Sequence, residues 1–109
     1  MGLFFWKKNK VIDEFATKVA DEFYSRVLPN HAVKYFDGKT DKKKSKEIES
    51  LLNTLVRDVN QFRDQESLGI YGKARLHLTF MERLKELGYN ETTSKEINKV
   101  VMVVSPLID

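Results

Sequence analysis

The sequence predicts an all-α fold, a single-domain four-helix bundle whose third helix is central. Apolar residues recur at helical spacing in four segments, near 10–27, 41–64, 70–87 and 94–104. A period of about 3.6 residues places such residues on one side of a helix. The chain has 109 residues, which is enough for one hydrophobic core but too few for two. We therefore treat residues 1–109 as one helical domain.

The first helix is predicted from about Lys10 to Val27, and it ends before Pro29 because a proline cannot continue the hydrogen bonding of a helix. Its apolar residues follow one another at intervals of four: Val11, Phe15, Val19, Phe23 and Val27. An interval of four exceeds one helical turn by about 40°, so this stripe winds around the helix. We expect the first helix to cross its neighbour obliquely or to contact two partners.

Residues 29–40 are predicted to form the longest connection, with a strong turn signal at Asp37-Gly38. The second helix is predicted to begin after an N-cap at Thr40 or Asp41 and to end near Asp64. Its apolar residues alternate at intervals of four and three: Ile48, Leu52, Leu55, Val59 and Phe62. This spacing keeps one side of the helix against a nearly aligned partner.

The third helix, predicted from Ile70 to Leu87 with Gly88 as its stop, has the widest apolar surface. Counting about 100° per residue separates two apolar groups on it. One group covers the first 100° or so and contains Ile70, Tyr71, Ala74, Leu78 and Met81; the other contains Leu76, Phe80, Leu84 and Leu87. A helix with so wide an apolar surface is central, or it buries its second face against another subunit.

The fourth helix is predicted to begin at Thr93-Ser94-Lys95-Glu96, which matches the capping-box pattern. It runs to about Val104, ahead of Pro106. The valine-rich residues 100–104 would also suit a strand by propensity. Because no other segment offers a partner strand, we predict a helix here.

The composition limits the location of the chain and the chemistry it can use. The absence of cysteine excludes disulfides and thiolate metal sites. No apolar run approaches the roughly 20 residues that a membrane-spanning helix needs, and the N-terminal order of charge is wrong for a secretory signal. We therefore predict a cytoplasmic location. Residues 1–9, with Leu3–Trp6 ahead of Lys7-Lys8, form a flexible or interfacial segment that packs on the core or contacts a membrane surface.

No catalytic or metal-binding set can be named, so we predict that the protein is not an enzyme and uses no cofactor or metal. No serine lies in a nucleophile-elbow context, and neither His31 nor His77 follows an acidic residue at the spacing of di-iron bundles. Gly69–Lys73 lacks the P-loop spacing. His77 falls inside the apolar arc of the third helix, either as a neutral core histidine or as a functional residue that contacts a ligand or responds to pH.

Wide apolar surface without a catalytic set predicts a helical protein-interaction domain, which binds a protein partner or a second copy of itself. The predicted contact residues lie on the extra face of the third helix and in the segment beyond it. They are Leu76, Phe80, Leu84, Met102 and Val103. No small-molecule substrate can be identified from the sequence.

Nucleic-acid binding is the first alternative. The chain carries a net charge of +3, and Lys42, Lys43, Lys44 and Lys46 form a cluster that would suit an anionic partner. The first three oppose the macrodipole at the start of the second helix. Segment 78–104 has the helix-turn-helix cadence, although Leu84 and Ser94 do not fit its packing pattern. Peripheral membrane attachment through the N-terminus is the further alternative.

Overall fold

The computed structural model describes residues 2–103, and the side chains from Lys7 to Met102. The described chain is all-helical, which confirms the predicted fold class, but it has five α-helices rather than four. They are α1 (Gly2–Arg26), α2 (Pro29–Phe36), α3 (Lys42–Glu66), α4 (Ile70–Glu86) and α5 (Glu91–Asn98), followed by a π-helical turn at Lys99–Val103. The four-helix bundle is therefore not confirmed. None of the described helices is long and apolar enough to cross a membrane.

The additional helix α2 lies where the sequence predicted a connection. Pro29 occupies its first turn, where a proline is favourable because its missing N–H would have no partner within the helix. Pro29, which in the sequence predicts the end of α1, is therefore the first residue of α2. The turn signal at its other end is correct: Gly38 has a φ of +73°, and the N–H groups of Gly38 and Lys39 donate to the carbonyls of Tyr35 and Lys34. This pattern is a Schellman cap.

The predicted limits of α3 and α4 are close to those observed. Asp41 is the N-cap of α3, and its carboxylate accepts a hydrogen bond of 2.8 Å from the backbone N–H of Lys44. Helix α4 begins at Ile70 as predicted, and Gly88 follows its end with a φ of +108°. Because only glycine adopts such a φ without strain, a larger residue at position 88 would destabilise this turn.

The N-cap of the last helix lies three residues before the predicted one, Thr93. It is Asn90, whose side chain accepts a hydrogen bond of 2.7 Å from the N–H of Thr93. Thr93 and Ser94 are buried, and the Ser94 hydroxyl donates to the Tyr89 carbonyl at 3.3 Å. The prediction of helix over strand is confirmed for residues 100–103, whereas residue 104 lies outside the described chain.

Helix α1 begins at Gly2, so its helical backbone includes most of the N-terminal segment. The side chains of residues 1–6 are outside the described set, and the proposed membrane contact of Leu3–Trp6 falls on them. The first described contact in this region is that of Lys8, whose ammonium donates to the Glu66 carbonyl at 2.5 Å and lies 3.7 Å from the Glu66 carboxylate.

Helices α1 and α4 run parallel in a constant register. The Asp13 carboxylate accepts two hydrogen bonds, of 2.7 and 2.9 Å, from the Arg75 guanidinium. About two helical turns further along, Asp21 accepts a hydrogen bond of 2.8 Å from Arg83. Beyond the ends of both helices, the Tyr89 hydroxyl donates to the Val27 carbonyl. Each of these pairs spans 62 residues of sequence, which only a parallel arrangement allows.

One hydrophobic core lies between this pair and the remaining helices. Phe15 of α1 stacks on Phe62 of α3 with ring centroids 4.0 Å apart. Since Lys8 meets Glu66 while Phe15 meets Phe62, α3 runs antiparallel to α1. Helix α1 therefore contacts two partners, as its winding stripe predicted. The buried residues of α1 are Ile12, Ala16, Val19, Ala20 and Phe23, whereas Val11 is exposed.

Helix α4 packs against α1 and α5 but leaves one side in water, so its predicted central position is not confirmed. Leu76, Phe80 and Leu84 are fully buried. On the opposite side Ile70 is 91%, Leu78 59% and Tyr71 52% exposed. The two apolar groups recognised in the sequence therefore occupy opposite environments.

Two alanine substitutions on α4 distinguish its faces. Leu84→Ala should lower the free energy of unfolding by about 2–5 kcal/mol, because it opens a cavity in the core. Leu78→Ala should change it by less than about 1 kcal/mol, because the side chain is mostly in water. Urea unfolding at low micromolar protein concentration measures both. Equal losses, or the reverse order, would contradict this assignment of the faces.

Candidate interaction surfaces

The predicted interaction residues lie in the core. Leu76, Phe80, Leu84 and Met102 are fully buried within the chain, so a partner cannot reach them in this conformation. Val103 belongs to the π-helical turn, but its side chain is outside the described set. This placement of the contact surface is therefore corrected. The angular count separated the apolar groups of α4, but it could not show which group α1 and the C-terminal helical segment would cover.

The apolar residues left exposed on α4 form a continuous surface, which we call the outer stripe. It consists of Ile70, Tyr71, Ala74, Leu78 and Met81, of which Met81 is half-buried and the others are exposed. Ile70, Ala74 and Leu78 are four residues apart, and such residues are neighbours on a helix surface. Removing a Leu or Ile side chain from water is worth roughly 1.5–3 kcal/mol. The outer stripe can therefore stabilise an association.

Polar and charged groups border the outer stripe. The Tyr71 hydroxyl accepts a hydrogen bond of 3.4 Å from Arg75, and Arg75 is held in turn by Asp13. This guanidinium keeps the pKa of Asp13 below its ordinary value, which burial opposes. Past the other end of the stripe, Lys85 lies 4.0 Å from Glu91. An apolar centre with a polar border is the usual anatomy of a protein interface.

The lysine cluster of the sequence is part of a larger basic region. Lys42, Lys43 and Lys46 are exposed and Lys44 is half-buried, all in the first turns of α3. Next to them is a surface pocket of about 320 Å³ that we call the basic pocket, lined by His31, Lys34, Lys39, Thr40, Asp41 and Lys44. Sequence reasoning missed Lys34 and Lys39. The turn signal at Asp37-Gly38 could have indicated them, because a turn reverses the chain and brings the residues before it close to the residues after it.

The segment with helix-turn-helix cadence does not present a uniformly basic surface. Ile97 of α5 is buried, as such a motif requires. On its exposed side Glu91 and Glu96 accompany Lys95 and Lys99. The Lys95 ammonium also lies 3.4 Å from the Glu91 carboxylate. Carboxylates at these positions would repel phosphates, so the geometry does not favour this segment as a nucleic-acid contact.

A polar cluster joins α3, α4 and the π-helical turn. The Arg63 guanidinium is buried, donates to the Met102 carbonyl, and lies 2.8 Å from the His77 Nε2 atom. Because a guanidinium can only donate, Nε2 is the acceptor and the imidazole is neutral. Arg63 was not recognised in the sequence, since it follows Phe62 directly and only the tertiary fold turns it inward. The cluster fastens the C-terminal turn to two helices.

The surroundings of this cluster favour the neutral histidine. Burial lowers the pKa of His77 below its ordinary value, and the positive charges of Arg63 and Lys73 lower it further, while the Met102 carbonyl acts in the opposite direction. Burial also lowers the pKa of Arg63. Protonating His77 would place a second positive charge beside a buried guanidinium. His77 is thus half-buried and hydrogen-bonded, and its partner, Arg63, is charged.

Comparisons with known proteins assign no family to this geometry. The sequence matches no protein-family model, and searches of curated proteins and of solved structures found no match either. Within the described side chains, no three His, Asp or Glu residues are grouped closely enough to hold a metal ion.

The Arg63–His77 contact predicts a specific dependence of stability on pH. Since the pKa of His77 is lowered on folding, the unfolded chain binds more protons below a pH of about 6.5, and stability falls as the pH decreases from there. His77→Gln should flatten this part of the profile between about pH 7 and pH 5. Urea unfolding across this range is the measurement; equal profiles for wild type and His77→Gln would contradict the assignment.

Proposed function

We propose that this chain is a non-enzymatic, cytoplasmic interaction domain that associates with a second copy of itself through the outer stripe of α4. The observation that supports the proposal is the concentration of exposed apolar side chains. Of the five large exposed hydrophobic residues on the described surface, three belong to the outer stripe, and Ile70 is the most exposed. Scattered single residues of this kind need no explanation, but a contiguous apolar patch marks an interaction site.

A second copy fits this surface because the outer stripe is self-complementary. A two-fold interface brings the same surface of both subunits together. If two copies of α4 pack antiparallel about a point midway between Ala74 and Leu78, each Leu78 lies over the small Ala74 of the other copy. The same axis places Tyr71 opposite Met81, a contact between a thioether and an aromatic ring that is favourable. A large residue thus meets a small one at the centre of the helix pair, and two large, adaptable side chains meet toward its ends.

The size of the outer stripe limits the strength of this association. One pair of packed helices belongs to the smaller class of protein interfaces, which are typical of transient complexes. We expect a reversible dimer with a dissociation constant on the order of 10–100 µM. The loss of one central apolar contact should then be enough to abolish the dimer at the protein concentrations that can be measured.

The test is sedimentation velocity across a dilution series with a matched pair of variants. The mass of the wild type should rise toward that of two copies as concentration increases, whereas Leu78→Ser should remain a monomer. Leu28→Ser is the control, because Leu28 is 44% exposed and lies between α1 and α2, outside the stripe. It should dimerise like the wild type.

Two results would refute the proposal. One is a wild type that stays monomeric up to about 500 µM, well above the expected dissociation constant. The other is a dimer that Leu28→Ser weakens as strongly as Leu78→Ser, because a non-specific apolar contact would respond equally to both substitutions. Circular dichroism of each variant verifies that the helical content is unchanged.

A further inference from the structure

We propose that the basic pocket between α2 and α3 binds a compact polyphosphate, through Lys34, Lys39 and Lys44. This site is separate from the outer stripe and does not depend on the proposed dimer. The ligand is defined by its chemistry: several phosphate groups close together, small enough to enter a pocket of about 320 Å³.

The three lysines come from three parts of the chain that hydrogen bonds hold together. Lys34 lies in the last turns of α2, and the Schellman cap ties Lys39 to it through a bond of 2.8 Å from the Lys39 N–H to the Lys34 carbonyl. Lys44 is fixed at the start of α3 by the 2.8 Å bond from its N–H to the Asp41 carboxylate. The backbone therefore brings these three lysines to the border of one pocket.

The lysines around the pocket form no ion pair within the described chain, and Asp41 is the one carboxylate among the residues that line it. Residues 31–46 contain six lysines and two aspartates, so this segment alone carries a charge of +4, more than the whole protein. None of its lysines forms a salt bridge with another described residue. Lys42, Lys43 and Lys44 also lie at the positive end of the α3 macrodipole. A phosphate ligand would reverse this repulsion because it supplies negative charge to the lysines and the helix end together.

An unpartnered hydroxyl supports the assignment independently of charge. The Thr40 hydroxyl oxygen is buried and has no hydrogen-bond partner among the described residues, and Thr40 lines the basic pocket. Buried polar atoms are almost always paired. A hydroxyl can donate to a phosphate oxygen, so a ligand in the pocket would supply the missing partner after a small movement of the side chain.

The form of the basic region favours a compact ligand over a nucleic-acid duplex or a membrane. A duplex presents phosphates along an extended backbone and needs a basic surface of matching length. The segment that could provide such an extension, α5, exposes Glu91 and Glu96 instead. The lysines that line the pocket surround a concavity rather than lie in one plane, whereas a flat lipid surface would contact only its rim.

The experiment is a titration of the full chain with inorganic tripolyphosphate, followed by amide chemical shifts in ¹H–¹⁵N spectra. At an ionic strength of about 50 mM, where charge interactions are weakly screened, the shifts should saturate and be confined to residues 31–46. The pocket variant combines Lys34→Gln, Lys39→Gln and Lys44→Gln. The control combines Lys10→Gln, Lys18→Gln and Lys99→Gln, which removes the same charge from exposed lysines elsewhere.

The pocket variant should raise the dissociation constant at least about tenfold, whereas the control should change it by less than about threefold. If the triple variant does not fold, the single variants Lys34→Gln and Lys44→Gln give the same comparison with smaller changes. The proposal is overturned if tripolyphosphate causes no saturable shifts at millimolar concentration, or if both triple variants weaken binding equally.

Two further titrations identify the source of the phosphate groups. Duplex DNA and vesicles that contain phosphatidylinositol bisphosphate are compared with tripolyphosphate at equal phosphate concentration. Stronger binding of tripolyphosphate supports a free, compact ligand. Stronger binding of the duplex or of the vesicles, lost in the pocket variant, would overturn the compact ligand and identify an extended anionic surface as the partner.

Discussion

The parallel pairing of α1 with α4 is the constraint on which the rest of the structure depends. Antiparallel helices can be joined by a short loop, but after one helix of a parallel pair the chain must travel back before the second can begin. Helix α3 makes this return: it has 25 residues, as α1 does, and it packs antiparallel to α1. The ion pairs of Asp13 with Arg75 and of Asp21 with Arg83 then fix the register.

The same arrangement explains why the outer stripe is left uncovered. Helix α1 takes one side of α4 and α5 lies against another, while the π-helical turn packs on α3 and α5, where Met102 and Ile97 are fully buried. The described chain has no further element to place over Ile70 and Leu78. Helix α4 is apolar on two sides, and one of them thus stays in water. The proposed association with a second copy would remove that side from water.

Local signals in the sequence predicted α3 and α4 closely, because the Asp41 cap and the Gly88 stop act within one turn of the helices they limit. Helix α2 was missed since Pro29 was interpreted only as a stop, although the first turn of a helix also favours proline. Which face of α4 is buried depends on partners 62 residues away, and no local pattern contains that information. Lys42–Lys46 were recognised as a run of like charges, whereas Lys34 and Lys39 join them only through the turn at Asp37-Gly38, which was interpreted as part of a connection.

The long interval between partners in the parallel pair also affects folding during synthesis. Helix α1 leaves the ribosome first, while Arg75, Arg83 and Tyr89 follow 62 residues after the positions they contact. At about 5–20 residues per second this delay lasts roughly 3–12 s, and the apolar face around Phe23 stays exposed throughout. Contacts within α3, α4 and α5 close shorter loops, which cost less entropy. The side of α1 that packs on α4 is therefore covered only after α3 and α4 have been made, and until then it is open to contacts with other chains.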